Sequence, residues 1–362
     1  MCVLGEHPLD LSFRSRYCKE RIIARSPRES GYLGFLMHVL KSRDIDILIP
    51  VGQLSTIEIA KNKDKLDSLT HVELPKIESV LIAADKKKTY DLAEELGVPY
   101  PQTTYPRSLD EMEEVSKDVT YPAVVKPLNE GIANAFYPRS RQDLLEVYRA
   151  TCKRYSICKD SLPMIQEYIP ANSTHSFSAL YQRGLCKRVF MWNEIRSFPP
   201  TGGISTYSES VHDSDLKEYG MRLLDRLDWH GVAQIEFKLD KRNGQFKLME
   251  INPRFWASTE IAVQSGVDFP YLLCKMADGE RLEYSESYRH VKFHWLSREL
   301  EHIVTRPGSI PRVIADTLHR EVKSNFEMRD FRPHIFEFTV NLIRRSRLAK
   351  WISRSPRFPQ VL

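Results

Sequence analysis

The chain of 362 residues is predicted to fold as α/β layers, with a small parallel unit first and a larger mixed unit after it. Three observations predict this. Residues 46–52, Asp-Ile-Leu-Ile-Pro-Val-Gly, form a short apolar run between helical stretches at 34–41 and 55–62, the pattern of a buried parallel strand. Apolar runs at 121–127 and 164–169 fall among helical segments at 108–117 and 140–154. Finally, residues 232–254 alternate apolar and polar side chains on both sides of Asn243-Gly244, a strong hairpin signal.

The remaining elements follow in order. Residues 85–97 read as a helix opened by Asp85-Lys86 and closed by Gly97 as a C-terminal cap. The helix at 108–117 starts at Ser108 with Glu111 three residues on. Residues 197–205 carry Pro199-Pro200 and Gly202-Gly203 and read as a loop. An amphipathic helix at 213–227 leads into the hairpin, and 261–277 supplies another helix. Residues 286–362 are a C-terminal extension. No internal repeat is present.

Composition bounds the function. Charged residues at 28% and apolar residues at 42% describe an ordinary soluble protein. No apolar run approaches the ~18–20 residues of a membrane span. Glu6 and Asp10 interrupt any signal-like apolar segment, so a cytoplasmic location is expected. Six cysteines lie scattered without C-x-x-C pairs, which suits reduced thiols rather than disulfides or zinc. The net charge of +5 belongs to the tail: residues 331–362 carry +6 and the rest −1. A nucleic-acid groove in the core is therefore not expected.

In the hairpin, a turn at 241–245 would set Glu236 opposite Glu250 on one sheet face, with Asn252 beside Glu250. Two carboxylates and a carboxamide suit a hard divalent cation such as Mg²⁺, which shares its ligands with nucleotide phosphates. Arg254 follows at once, suited to an anion near the metal.

Glu250-Ile251-Asn252-Pro253-Arg254, with Glu236 upstream, resembles the metal-binding signature of the ATP-grasp superfamily. Asp85-Lys86, the Lys126 strand and Met164-Ile165-Gln166-Glu167-Tyr168-Ile169 stand in that family's order, over roughly residues 85–270. The match is nearest the carbamoyl-phosphate-synthase-like branch of carboxylate–amine ligases. The resemblance implies a shortened Rossmann-like domain at 1–84, in which Met1-Cys2-Val3-Leu4 corresponds to the second strand. It also implies an ATP-grasp domain at 85–285, with a lid over about 103–168 and a catalytic part over about 169–285. Lys86 and Lys126 then correspond to phosphate-binding lysines, with Lys87 and Lys88 leaving the first choice open. Glu167, Tyr168 and Ile169 correspond to the adenine hinge, and His175 to a phosphate-contacting histidine. The loop after Lys126 keeps one glycine, Gly131, where such lids are glycine-rich.

The implied reaction is an ATP- and Mg²⁺-dependent (or Mn²⁺-dependent) ligation of a small carboxylate to an amine through an acyl phosphate. Arg254 would steady the transferring group. Arg196, followed by Thr201-Gly202-Gly203, would arch over the acceptor or the γ-phosphate. Two other readings stay open: a non-catalytic ATP-binding sensor or scaffold, and a bicarbonate-using carboxylase without a fused Met-Lys-Met carrier. No Walker-type phosphate loop occurs, so a P-loop nucleotidase is not supported. A homo-oligomer is compatible with the family. At 335–354, Phe338, Leu342, Ala349 and Ile352 align at helical spacing opposite Arg344, Arg347, Lys350 and Arg354. That helix either packs on the protein's own core or lies on an anionic membrane.

Overall fold

The computed structural model describes residues 1–128, 135–157, 162–171, 173–198, 203–319 and 321–345. Compact contacts divide them into two units. The first comprises 1–84, 176–234 and the described residues from 252 onward, and the second comprises 85–175 and 235–251.

The first unit opens with β1 (Cys2–Gly5) paired in parallel to β2 (Glu20–Ile23). Four helices follow: α1 (Tyr32–Arg43), α2 (Gln53–Lys61), α3 (Lys63–Asp67) and α4 (Ile77–Ala84). Leu36, Leu40, Ile59, Leu66 and Val80 form their common core. The strand expected at 46–52 is reduced to one parallel bridge, Ile47 with His71. Pro50 lacks the N–H that a buried ladder needs, and the chain turns into α2 at Gly52.

In the second unit, α5 (Lys86–Glu95) precedes β3 (Thr103–Thr104), α6 (Leu109–Val115), β4 (Ala123–Lys126), α7 (Arg141–Arg154) and β5 (Met164–Glu167). The three strands form an antiparallel sheet ordered β3-β5-β4, with Val124 opposite Gln166 and Lys126 opposite Met164. Met112 of α6 and Leu144 and Tyr148 of α7 bury against Val125 and Ile165. Burial on that face leaves the neighbouring residues of β4 and β5 for the other, because strand side chains alternate.

A seven-stranded sheet, ordered β10-β9-β6-β7-β8-β11-β12, is built from β6 (Thr174–Gln182), β7 (Leu185–Phe198), β8 (Ile204–Ser210), β9 (Gly231–Leu239), β10 (Phe246–Asn252), β11 (Lys292–His294) and β12 (Val322–Ser324). Between β8 and β9 lies α8 (Ser214–Arg226), capped by the Asp213 carboxylate on Leu216 N–H. The loop predicted at 197–205 is strand at both ends: Ser197 pairs with Ser205 and Phe198 with Ile204. Residues 199–202 lie outside the described residues.

Residues 261–277 are two helices, not one. α9 (Thr259–Ser265) ends where Gly266 turns left-handed at φ 99°, and α10 (Phe269–Ala277) restarts with the Asp268 carboxylate on Tyr271 N–H. The C-terminal part is more than an appendage. β11 pairs with β8 and β12, while α11 (Leu296–Thr305), α12 (Ile310–Leu318) and α13 (Arg332–Arg345) complete the unit. Arg14 lies over the Phe336 ring at 4.5 Å, and Ser297 Oγ donates to Glu337 at 2.7 Å. The described part of the predicted tail helix thus packs on its own chain. Arg347, Lys350, Trp351 and Arg354 lie outside the described residues. Among the described residues no helix is long and apolar enough to cross a membrane.

Candidate functional site

The second unit gathers charged side chains from α5, β4, β9 and β10. Asp85 caps α5 by accepting from the N–H groups of Lys87 (2.9 Å) and Lys88 (3.2 Å), which starts the helix at Lys86. Lys86 Nζ then donates to Glu250 Oε2. Lys87 instead pairs with Asp91 at 2.8 Å on the exposed face of the helix. Of the three consecutive lysines, Lys86 is the one that meets the acidic hairpin. The Lys86 and Glu250 side chains stay 33% and 35% exposed, so water screens the pair and it adds little to stability.

Lys126 closes β4, and its Nζ donates to Gln166 Oε1 at 2.9 Å. Burial, then the nearby Lys86 and Lys238 ammonium groups, pushes Lys126 down to about 7 against the pull of Glu250 and Glu236. For Lys86, burial also opposes the charge, but Glu250 chiefly, with Glu236 among the lesser influences, raises it above the ordinary lysine value. Glu236 and Glu250 therefore act on the same two ammonium groups. Lys238, two residues after Glu236 on β9, adds a third cation. Three lysines facing two carboxylates favour a polyanionic ligand.

Gln166 holds Lys126 in place. Its Nε2 donates to Tyr90 Oη (3.0 Å) and Thr103 Oγ1 (2.9 Å), and Tyr90 Oη donates to the Met249 carbonyl (3.0 Å). Gln166 and Tyr90 are each 2% exposed. At the end of β5, Glu167 pairs with Arg242, and Gln102 N–H donates to Glu167 Oε2 at 3.2 Å. Arg242 also clasps the fully buried Asp240 through Nε at 2.9 and 3.1 Å, which holds that carboxyl below its usual range. Tyr168 meets Tyr137 edge-on at 6.1 Å, and Ile169 is buried. His175 packs edge-on against Phe246 at 5.2 Å. The glycine-poor loop at 129–134 lies outside the described residues.

The other predicted residues belong to the first unit. Asn252 follows Glu250 by two positions on β10, and its Nδ2 donates to Gln234 Oε1 at 2.8 Å. This bond presents Oδ1 as the Asn252 atom suited to a cation. Arg254 donates from Nη1 to the Phe255 carbonyl at 2.8 Å, while its buried Nε has no hydrogen-bond partner among the described residues. Arg196 lies on β7, away from the lysine cluster in sequence and in unit. Its guanidinium binds Glu299 at 3.1 and 3.2 Å and Asp316 at 2.5 Å, and lies over the Tyr207 ring at 4.3 Å.

Sequence reasoning passed over Gln166, Tyr90, Lys238 and Arg242. The available signals were weak ones. Tyr90 stands one helical turn after Lys86, and Lys238 shares the Glu236 face by the period of two. Nothing in sequence spacing ties Arg242 to Glu167.

Two carboxylates with a surplus of lysines in the second unit make a candidate site for a polyanion with a divalent cation. Comparison with known proteins agrees. The family described as ATP-grasp in the biosynthetic pathway with Ter operon matches residues 199–299. The N-terminal section of a carbamoyl phosphate synthase large chain from Methanopyrus kandleri is 23% identical over 266 residues, covering 68% of this chain and 46% of that protein. A D-aspartate ligase from Enterococcus faecium is 22% identical over 280 residues, covering 70% of this chain and 65% of that protein. The chain thus spans less than two thirds of both relatives. A biotin carboxylase from Campylobacter jejuni, solved with β-γ-ATP, superposes with a TM-score of 0.65 at 17% identity, covering 80% of this chain and 68% of that one. The chain thus has the fold of ATP-grasp proteins and is similar in sequence to a carbamoyl phosphate synthase section and a D-aspartate ligase.

Proposed function

We propose that this protein is an ATP- and Mg²⁺-dependent ligase that joins a small carboxylate to an amine through an acyl phosphate. The observation that carries the reading is the contact of Lys86 with Glu250 in the unit that also holds Lys126, with Glu236 and Glu250 both favouring charge on the two ammonium groups. That arrangement combines divalent-cation ligands with phosphate-binding cations in one place. The similarity to a D-aspartate ligase supports the reaction class.

In this reading, Lys86 and Lys126 neutralise the nucleotide phosphates as point charges. Lys86 would leave Glu250 as phosphate arrives, and Glu250 would turn to the cation. Glu236, Glu250 and the Asn252 oxygen are hard donors that fit Mg²⁺, with Mn²⁺ as a substitute. The bound cation would supply charge neutralisation along the phosphates. The substrate carboxylate attacks the γ-phosphorus and ADP departs, and the amine then attacks the acyl carbon and expels phosphate. Arg254, with its unpartnered Nε, would hold the transferring phosphoryl group. For Arg196 the reading requires an exchange, because its guanidinium must leave Glu299 or Asp316 before it can take a substrate anion. The backbone of Glu167, Tyr168 and Ile169 would read the adenine edge, with His175 near the phosphates. A homo-oligomer in the cytoplasm and domain bounds of 1–84, 85–285 and 286–362 complete the proposal.

Calorimetric titration with ATP and Mg²⁺ tests the site. Binding that requires both, and that Glu250→Ala and Lys126→Ala each weaken, supports the reading. Binding unchanged in both variants would contradict it.

A further inference from the structure

We infer that Gln166 and Tyr90 are positioning residues that aim the Lys126 ammonium at the nucleotide phosphates and tie it to the helix carrying Lys86. The inference rests on the phosphate role proposed for Lys126. Its own basis is the hydrogen-bond chain in the second unit. Lys126 Nζ donates to Gln166 Oε1 (2.9 Å), Gln166 Nε2 donates to Tyr90 Oη (3.0 Å), and Tyr90 Oη donates to Met249 O (3.0 Å).

The direction of this chain is determined by chemistry. A lysine ammonium has only donors, so the Gln166 atom beside it must be the carbonyl oxygen. The amide nitrogen is then forced to the other side, where two hydroxyls, Tyr90 Oη and Thr103 Oγ1, accept from it. Tyr90 has spent its own hydrogen on the Met249 carbonyl, so its oxygen is the acceptor that Gln166 needs. Each group has one role, and turning the carboxamide over would set donor against donor at Lys126 and acceptor against acceptor at the two hydroxyls.

The chain also connects the two lysines. Tyr90 follows Lys86 by one turn of α5, and Met249 precedes Glu250, the partner of Lys86. Rotation or slippage of α5 would therefore disturb both ammonium groups together. A neutral carboxamide suits this task better than a carboxylate would. It orients Lys126 without forming a buried ion pair that phosphate would have to break. A long, flexible lysine side chain otherwise loses rotamer entropy when it binds. Prior orientation by Gln166 removes part of that loss.

The test compares ATP with adenosine by displacement of a fluorescent nucleotide, using intact protein and the variants Gln166→Leu, Tyr90→Phe and Lys126→Ala. Gln166→Leu is expected to weaken ATP about tenfold or more, the size of a lost charge-assisted hydrogen bond, and to leave adenosine within about twofold. Tyr90→Phe should show the same selectivity with a smaller loss, and Gln166→Glu, which keeps the acceptor, should recover part of the ATP affinity. Equal losses for ATP and adenosine would mean that Gln166 only supports the fold, and no loss would mean that Lys126 orients itself. Either result overturns the inference. If Gln166→Leu fails to fold, Tyr90→Phe and Gln166→Glu decide by the same ratio. Lys126→Ala separates the two levels. If it leaves ATP affinity intact, the phosphate reading falls and takes the inference with it; if it weakens ATP while the Gln166 and Tyr90 variants do not, only the inference falls.

Discussion

Lys126 shows how a single residue can be tuned by its surroundings. Burial and two lysine neighbours bring it to about 7, far below the ordinary lysine value. Two consequences follow with defined signs. Because the unfolded chain holds that proton up to about 10.4, it binds more protons than the folded protein between about 7 and 10.4. This group therefore makes the ligand-free protein more stable as pH rises through that window. Phosphate reverses the preference by favouring the ammonium, so ATP binding at pH 8 should take up a proton. Calorimetry in buffers of different ionisation enthalpy should show the uptake in the intact protein and its loss in Lys126→Ala. For Glu250, replacement by Ala should cut ATP turnover by a factor of about a hundred to a thousand, as expected when a group stabilising transferring charge is removed. Circular dichroism should stay unchanged, since the Lys86–Glu250 pair is screened by water. Turnover near the intact level in that variant would remove Glu250 from the metal site.

At the scale of elements, packing constraints can be tested apart from chemistry. Gly220 on α8 faces the fully buried Phe177 ring of β6, and a Cβ there would lie 2.3 Å from Cδ1 of that ring. Gly220→Ala should cost ~1–3 kcal/mol of stability through overpacking. A thermal transition at the intact temperature would show that the ring has room to move. The elements also show what sequence patterns carry. The helices begun by Asp85, Ser108, Ser140 and Asp213 were legible because each cap side chain accepts from N–H groups that the helix start leaves unpaired. Glu236, Glu250, Lys86 and Lys126 could be named because strand alternation and ordered motifs are local properties. The long meander of β6, β7 and β8 was passed over although part of its signal is local: Arg183-Gly184, both left-handed, is a two-residue turn between β6 and β7. The break at Gly266 was missed because Ile261 to Ala277 keeps helical apolar spacing across it. Gln166 and Tyr90 escaped notice for a related reason. Their partners lie 40 and 159 residues away, and no spacing rule reaches that far.

For the whole molecule, the C-terminal part is structural where it is described. Asp330 accepts from Ser15 Oγ at 2.5 Å and from Arg16 N–H at 2.8 Å, and α13 packs on the turn at Leu11–Arg14. A truncation after Asn325 should lower the thermal transition below that of one after Arg345. Equal melting of both truncated proteins and the full chain would contradict that role. The whole-molecule account rests on one claim, that the lysine and carboxylate cluster drives ATP-dependent ligation. Phosphate release from ATP, measured with Mg²⁺ across pairwise mixtures of small carboxylates and amines, tests it most directly. The account predicts stoichiometric ADP and phosphate only where a carboxylate and an amine are both present, with release cut about a hundredfold or more by Glu250→Ala. ATP that binds tightly yet releases no phosphate with any pair would contradict the account and favour a nucleotide sensor.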